Sequence, residues 1–180
     1  DIPLVAIQLL WLNLVTDGLQ DMALSFERET DTIMSEKPRS TKESLFEKEL
    51  ITQTLIGGLC IGLIVFGVRA YLCKVLHMEV EHARGYIMAL MVFLQNYHVL
   101  NCRSENKSIF KYNFKHNPFV LFSITGSILL QIIVMEVEPL SRFLSTYSIP
   151  WMDLIRLMLI SLPIIIIMEF YKYIKRKKTS

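Results

Sequence analysis

Long apolar blocks alternate with short charged connections along this chain. Five such blocks stand out, over residues 2–24, 51–73, 86–100, 118–135 and 151–171. A hydrocarbon core about 30 Å thick is crossed by about 20 apolar residues in helical form. Each block is therefore predicted to be a membrane-crossing helix. The third is the shortest and the most polar, because it carries Gln95, Asn96 and His98, so neighbouring helices have to shield it. The predicted fold is all-α: a polytopic transmembrane bundle of five spans, forming one transport domain over residues 1–180.

The connections set the expected orientation. Residues 25–50 hold Arg28, Lys37, Arg39, Lys42 and Lys48, and residues 101–117 hold Arg103, Lys107, Lys111 and Lys115. The tail adds Lys172, Lys175, Arg176, Lys177 and Lys178, whereas the two alternate connections hold only Lys74, Arg84 and Arg142. Cytoplasmic connections are enriched in Lys and Arg, which predicts an N-terminus outside and a C-terminus in the cytoplasm. Trp11, Tyr147, Trp151 and Tyr171 lie where interfacial aromatics are expected. Pro118 and Pro150 precede spans four and five, where a missing N–H costs little. Gly58 and Gly62 form a small-xxx-small pair suited to close helix packing within the bundle.

Composition agrees with this picture. The chain is 52% hydrophobic with a mean hydropathy of +0.40. Five spans in 180 residues leave no room for a soluble catalytic domain. The net charge of +2 suggests no nucleic-acid partner, and the lipid bilayer is the expected surrounding. Cys60, Cys73 and Cys102 form no CxxC pair and are expected to pack as small hydrophobes. Asp1-Ile2-Pro3 carries no basic region or cleavage site of a signal peptide, so the sequence is expected to be part of something longer.

Candidate chemistry concentrates in the first span. Asn13, Thr16, Asp17, Gln20 and Asp21 follow the spacing i, i+3, i+4, i+7, i+8, which places all five on one face of an α-helix. A carboxylate with amide and hydroxyl oxygens is a hard-oxygen set suited to Ca²⁺, Mg²⁺, Mn²⁺ or an alkali ion. Gly18, directly after Asp17, could let the helix unwind so that backbone carbonyls become further ligands. The competing reading is that these groups hydrogen-bond another helix. In span three, Gln95 and His98 share a face and Asn96 points away; they either complete an ion site or knit helices together. Glu169 and Lys172, three residues apart in span five, are expected to be a structural anchor.

The run PLVAIQLLWLNLVTDGLQDMALSFE, followed by DTIMSEKPRSTKESL, resembles the sixth membrane helix and following loop of the P-type cation-transporting ATPases. It is most like the calcium-pumping branch, whose hallmark is N-L-V-T-D-G-L. The resemblance continues through NCRSENKSIF and SLPIIIIMEFYKY and covers essentially the whole chain as helices six to ten. It implies that Asn13 and Asp17 bind calcium at the site shared by one-ion and two-ion pumps, and that Thr16 matches a ligand of the second site. Gln95 stands where two-ion calcium pumps place a glutamate, so one Ca²⁺ per cycle is implied. His98 stands where sodium/potassium pumps carry an aspartate, which weakens an alkali-ion assignment. Gln20 replaces the family's usual proline. Asp21 replaces an apolar or small residue, one turn toward the cytoplasm, where it could attract the ion.

The same resemblance says what these residues lack. The phosphorylation motif D-K-T-G-T is absent from the sequence, so ATP and Mg²⁺ are expected only in the remainder of the pump. Its helices one to five and cytoplasmic domains are the expected partners, and the 180 residues alone are expected to be inactive. Residues 25–50 are expected to face the phosphorylation domain. The alternatives are Mn²⁺ or Na⁺ as the ion, or a stand-alone membrane scaffold or regulatory protein without transport. Short loops and a short basic tail point to a bacterial plasma membrane.

Overall fold

The computed structural model describes residues 2–27, 48–103, 108–109 and 117–179, and these contain helices and no strands. Of the 25–50 connection, expected to meet the phosphorylation domain, residues 28–47 lie outside the described residues, as do Lys107, Lys111 and Lys115.

The first helix runs from Ala6 to Ser25 in three parts. Helix α1 covers Ala6–Leu12, a π-helical segment covers Asn13–Gly18, and α2 covers Leu19–Ser25. Helix α3 spans Lys48–Ala70 and continues as a second π-helical turn over Tyr71–Val75. A short turn, with His77 at φ 48°, leads into α4, Val80–Cys102. Helix α5 spans Pro118–Glu136. Asn117 caps it by accepting the Phe119 N–H at 3.1 Å, with Pro118 in the first turn as expected. The short α6, Glu138–Phe143, closes the next connection.

The predicted last span is not one uninterrupted helix. It divides into α7, Trp151–Ile160, and α8, Pro163–Thr179, with the break at Ser161 and Leu162. Pro163 has no N–H to continue the ladder of α7, which accounts for the interruption. Among the described residues, three helical stretches are long and apolar enough to cross a membrane: Leu50–Val75, Pro118–Glu136 and Trp151–Lys177. Their outer faces carry exposed Leu59, Leu63, Phe66, Phe122 and Ile166, the arrangement that lipid, rather than water, favours.

Helix α4 is the centre of the bundle. From Ile87 to Leu94 every side chain except Met91 is buried, while Gln95, Tyr97 and His98 are half-buried, so neighbouring helices shield most of the polar third block. Within the described residues nothing packs against the small-residue pair on α3. A Cβ on Gly58 or Gly62 would meet nothing within 4 Å, whereas one on Gly57 would lie 3.0 Å from His98 Cε1. Gly57 is therefore the glycine that lets α3 approach α4. Cysteine packing holds for buried Cys60 alone; Cys73 is half-buried and Cys102 exposed.

One end of the bundle is fastened by charge. Arg103, after α4, donates from Nε and Nη2 to the two carboxylate oxygens of Glu27, both at 2.9 Å. Asn117 Nδ2 donates to Glu27 Oε2 at 3.0 Å and to the Ala23 carbonyl at 2.8 Å. Beside them, buried Lys172 donates to the Asn101 carbonyl at 2.8 Å. Glu169 accepts the Ile109 N–H at 2.9 Å. Lys172 thus anchors α8 to the last turn of α4, and Glu169 anchors it to the segment that follows.

Candidate ion-binding face

Side-chain hydrogen bonds spaced along the first helix and just beyond its end hold it against the rest of the bundle. Gln8, fully buried, donates to the carbonyls of Leu144 and Ser145 at 3.0 and 3.1 Å. One turn on, Trp11 Nε1 donates to Gln131 Oε1 of α5 at 3.0 Å, so this indole is committed to a helix contact. Gln20 Nε2 donates to Asn96 Oδ1 of α4 at 2.7 Å. Glu27 closes the series with Arg103.

The π-helical segment changes the predicted stripe. In a π turn the backbone bonds i to i+5 and the helix widens, so α-helical spacing no longer gathers all five polar residues on one face. Thr16 and Gln20 turn inward and are buried, while Asn13, Asp17 and Asp21 are exposed. Nor does the helix unwind at Gly18. A side chain there would sit 3.5 Å from the Asn13 carbonyl oxygen, an ordinary contact.

Around Asp17 the structure collects oxygen donors. The Thr16 hydroxyl donates to the Leu12 carbonyl at 2.6 Å and lies 3.4 Å from Asp17 Oδ1. Gln95 Nε2 donates to the same Asp17 oxygen at 3.4 Å, and its Oε1 is buried without a hydrogen-bond partner among the described residues. Asn13 shares the exposed side with Asp17. One carboxylate among neutral amide and hydroxyl oxygens suits a hard cation. No cluster of three His, Cys, Asp or Glu side chains lies among the described residues, at this face or elsewhere.

His98 does not join this group. Its ring lies against Gly57 of α3, so Gln95 and His98 serve different neighbours despite their spacing. Asn96, set apart from the stripe by periodicity, is instead the hub of a buried network. Its Oδ1 accepts from Gln20 Nε2 at 2.7 Å and from Ser127 Oγ of α5 at 2.8 Å. Sequence reasoning missed Ser127 and Gln131. The available signal was the spacing of Ser123, Ser127 and Gln131, all buried polar residues four apart in an otherwise apolar block.

Residues 1–174 match the family described as cation transporting ATPase, C-terminus. The "Calcium-transporting ATPase" of Bacillus subtilis is 37% identical over 151 residues, covering 82% of this chain and 16% of the relative. "Calcium-transporting ATPase 1" of Bacillus cereus is 29% identical over 97% of the chain and 21% of the relative. The human "Calcium-transporting ATPase type 2C member 1" is 29% identical over 98% of the chain and 19% of the relative. The chain thus spans about a fifth of the length of these curated relatives. With its apolar helices, it is a multi-pass membrane protein. It belongs to the cation transporting ATPase C-terminus family, and within that family it resembles the membrane part of the calcium-transporting members.

Proposed function

We propose that these residues form the cation-translocating part of an ATP-driven calcium-type pump, with Asn13, Asp17 and Thr16 contributing ion ligands. The observation that carries this reading is Asp17 itself. It is an exposed carboxylate midway along a tethered helix, beside Asn13, held by Gln95 and next to the Thr16 hydroxyl. A scaffold has no need of such a group, because a carboxylate at membrane depth is costly. The remainder of the pump, its first five helices and cytoplasmic domains, covers the exposed side and completes the coordination. Gln95 supplies a neutral amide to the site, which supports one Ca²⁺ per cycle.

The proposed topology has five spans, residues 2–24, 51–73, 86–100, 118–135 and 151–171, with the C-terminus in the cytoplasm. The asymmetry of Lys and Arg between connections supports it. The Bacillus relatives support a bacterial plasma membrane. ATP and Mg²⁺ act in the cytoplasmic domains, where phosphorylation shifts the helices between inward-facing and outward-facing states. Asp21, exposed one turn beyond Asp17, draws the ion toward the site from the cytoplasmic side. Asp21→Asn is expected to weaken apparent ion affinity, and an unchanged affinity would reject that role.

Ion-dependent phosphoenzyme formation by the full-length protein tests the reading, with Ca²⁺, Mn²⁺ and Na⁺ compared side by side. Ca²⁺ is expected to support the phosphoenzyme at the lowest concentration, and Asp17→Asn to abolish the dependence. Preference for Mn²⁺ or Na⁺ would reassign the ion. No ion-dependent phosphoenzyme at all would favour a scaffold.

A further inference from the structure

A cleft of about 770 Å³ opens on the bundle surface between α3, α4 and α7, well away from Asp17 and lined by none of the residues that tether the first helix. Its walls are apolar: Val68, Leu72, Leu157, Leu159 and Ile160 contribute to them, and Gly67 leaves a gap in the α3 side. One part is strongly polar. Tyr86 OH donates to Asp153 Oδ2 at 2.9 Å, and Arg156 Nη1 donates to Asp153 Oδ1 at 2.7 Å. Both Asp153 oxygens are therefore engaged, and the carboxylate is held on the α4 side of the cleft. The Arg156 side chain is 68% exposed, and a guanidinium carries five N–H donors, of which Asp153 takes one.

We infer that this cleft holds a glycerophospholipid, with its phosphate on Arg156 and one acyl chain along the apolar walls toward Gly67. The amphipathic layout is the argument. Arg156 lies six residues after Pro150, which at 1.5 Å per residue puts its Cα about 9 Å into the span, from where its long side chain reaches back toward the phosphate and glycerol groups. An arginine there is stabilised by a phosphate, which it binds through paired N–H donors. Asp153 cannot satisfy it alone, since the Asp153–Arg156 pair is only three residues apart on one helix and leaves most of the guanidinium exposed. Beyond this pair and the Tyr71 and Tyr86 hydroxyls the lining is apolar, which fits a hydrocarbon chain. The inference rests on the membrane-spanning reading and is independent of which ion is pumped.

Gly67 supplies the decisive variant. A Cβ there meets nothing within 4 Å, so the branch point of Gly67→Leu is accommodated and its side chain projects into the cleft that Gly67 lines, and removing a helical glycine favours the helix. Gly62→Leu, equally unobstructed but outside the cleft, is the control. Full-length pump reconstituted with a phospholipid bearing a diazirine on its acyl chain is irradiated, and the cross-links are mapped by peptide mass spectrometry. Labelling of the Leu72 and Leu157 peptides above the general lipid background is expected in the unaltered protein and in Gly62→Leu. A fall of fivefold or more is expected in Gly67→Leu, and loss of native phospholipid retained through delipidating washes in Arg156→Gln. Background labelling in the unaltered protein, equal labelling in Gly67→Leu, or cross-linking of a co-purified polypeptide at this cleft would each overturn the inference. Ion-dependent phosphoenzyme is measured on the same samples. Its absence with labelling intact counts against the pump reading and leaves the lipid site standing.

Discussion

Gln20 of the first helix and Asn96 of α4 share a buried amide hydrogen bond of 2.7 Å, and the same Asn96 oxygen accepts from Ser127 of α5. One acceptor thus joins three helices at the level of the candidate ion face. Asn96→Ala strands the buried Gln20 donor, at about 1–3 kcal/mol in a dry interior, while the Ser127 hydroxyl keeps the Ile124 carbonyl at 2.9 Å as its acceptor. Interhelical hydrogen bonds measured in membranes average nearer about 0.6 kcal/mol. A destabilisation of about 1–3 kcal/mol is expected, read as a lowered midpoint in the unfolding of the purified full-length pump. Gln20→Ala should cost less, and the two changes together should cost less than their sum, since they remove one shared bond. Additive effects would mean that the two amides act separately.

Arg103 and Glu27 make a different kind of joint, because both ends are charged. Their side chains are 2% and 14% exposed, so the pair is shielded from solvent and from salt. Removing one partner of a buried pair typically costs about 3–5 kcal/mol, whereas replacing both with apolar groups is often close to neutral. Arg103→Met is expected to approach that cost, and Arg103→Met with Glu27→Met to recover much of it. Raising NaCl to about 1 M should leave the unaltered protein's midpoint nearly unchanged. Equal destabilisation of the single and double variants would show that Asn117, which also contacts Glu27, holds the joint without the arginine.

What the sequence conveyed was periodicity and polarity; what it did not convey was helical pitch and partner choice. The burial of α4 was legible, because a short block with Gln95, Asn96 and His98 has no stable place in lipid without neighbours. The face around Asp17 was legible as a set of residues, yet the assumption of an α-helix merged two faces that the π-helical segment separates. Asn96 looked peripheral because periodicity describes direction around one helix and is silent on which neighbour lies there. The Gly58 and Gly62 pair shows the same limit: a smooth helix surface permits close approach without naming the neighbour, and among the described residues none lies against it.

Gly18 gives a direct test of whether the first helix needs to open. Its Cβ position lies 3.5 Å from the Asn13 carbonyl, so alanine fits without displacement. Glycine within a helix is less favourable than alanine by about 0.8–1.0 kcal/mol. Gly18→Ala is therefore expected to raise the unfolding midpoint modestly and to leave both the half-saturating Ca²⁺ concentration and the turnover rate unchanged. A stabilised variant that binds Ca²⁺ normally but turns over slowly would mean that the cycle passes through an unwound segment at this glycine.

The Gln95–Asp17 contact bears most directly on ion binding. At 3.4 Å the bond is near the long limit for an N–H···O interaction, so its worth lies less in strength than in fixing the carboxylate. Gln95 Oε1, buried and without a partner among the described residues, adds an acceptor on the same amide. Gln95→Leu removes both and keeps the volume. A tenfold affinity change corresponds to about 1.4 kcal/mol, so a loss of about three- to tenfold in apparent Ca²⁺ affinity is expected from so weak a bond. Asp17→Asn should remove Ca²⁺-dependent phosphoenzyme formation altogether, and adding Gln95→Leu to it should change nothing further, since there is no longer a carboxylate to position. If Gln95→Leu leaves Ca²⁺ affinity intact while lowering the unfolding midpoint, Gln95 only joins two helices, and Asp17 is held from the first helix and from the rest of the pump.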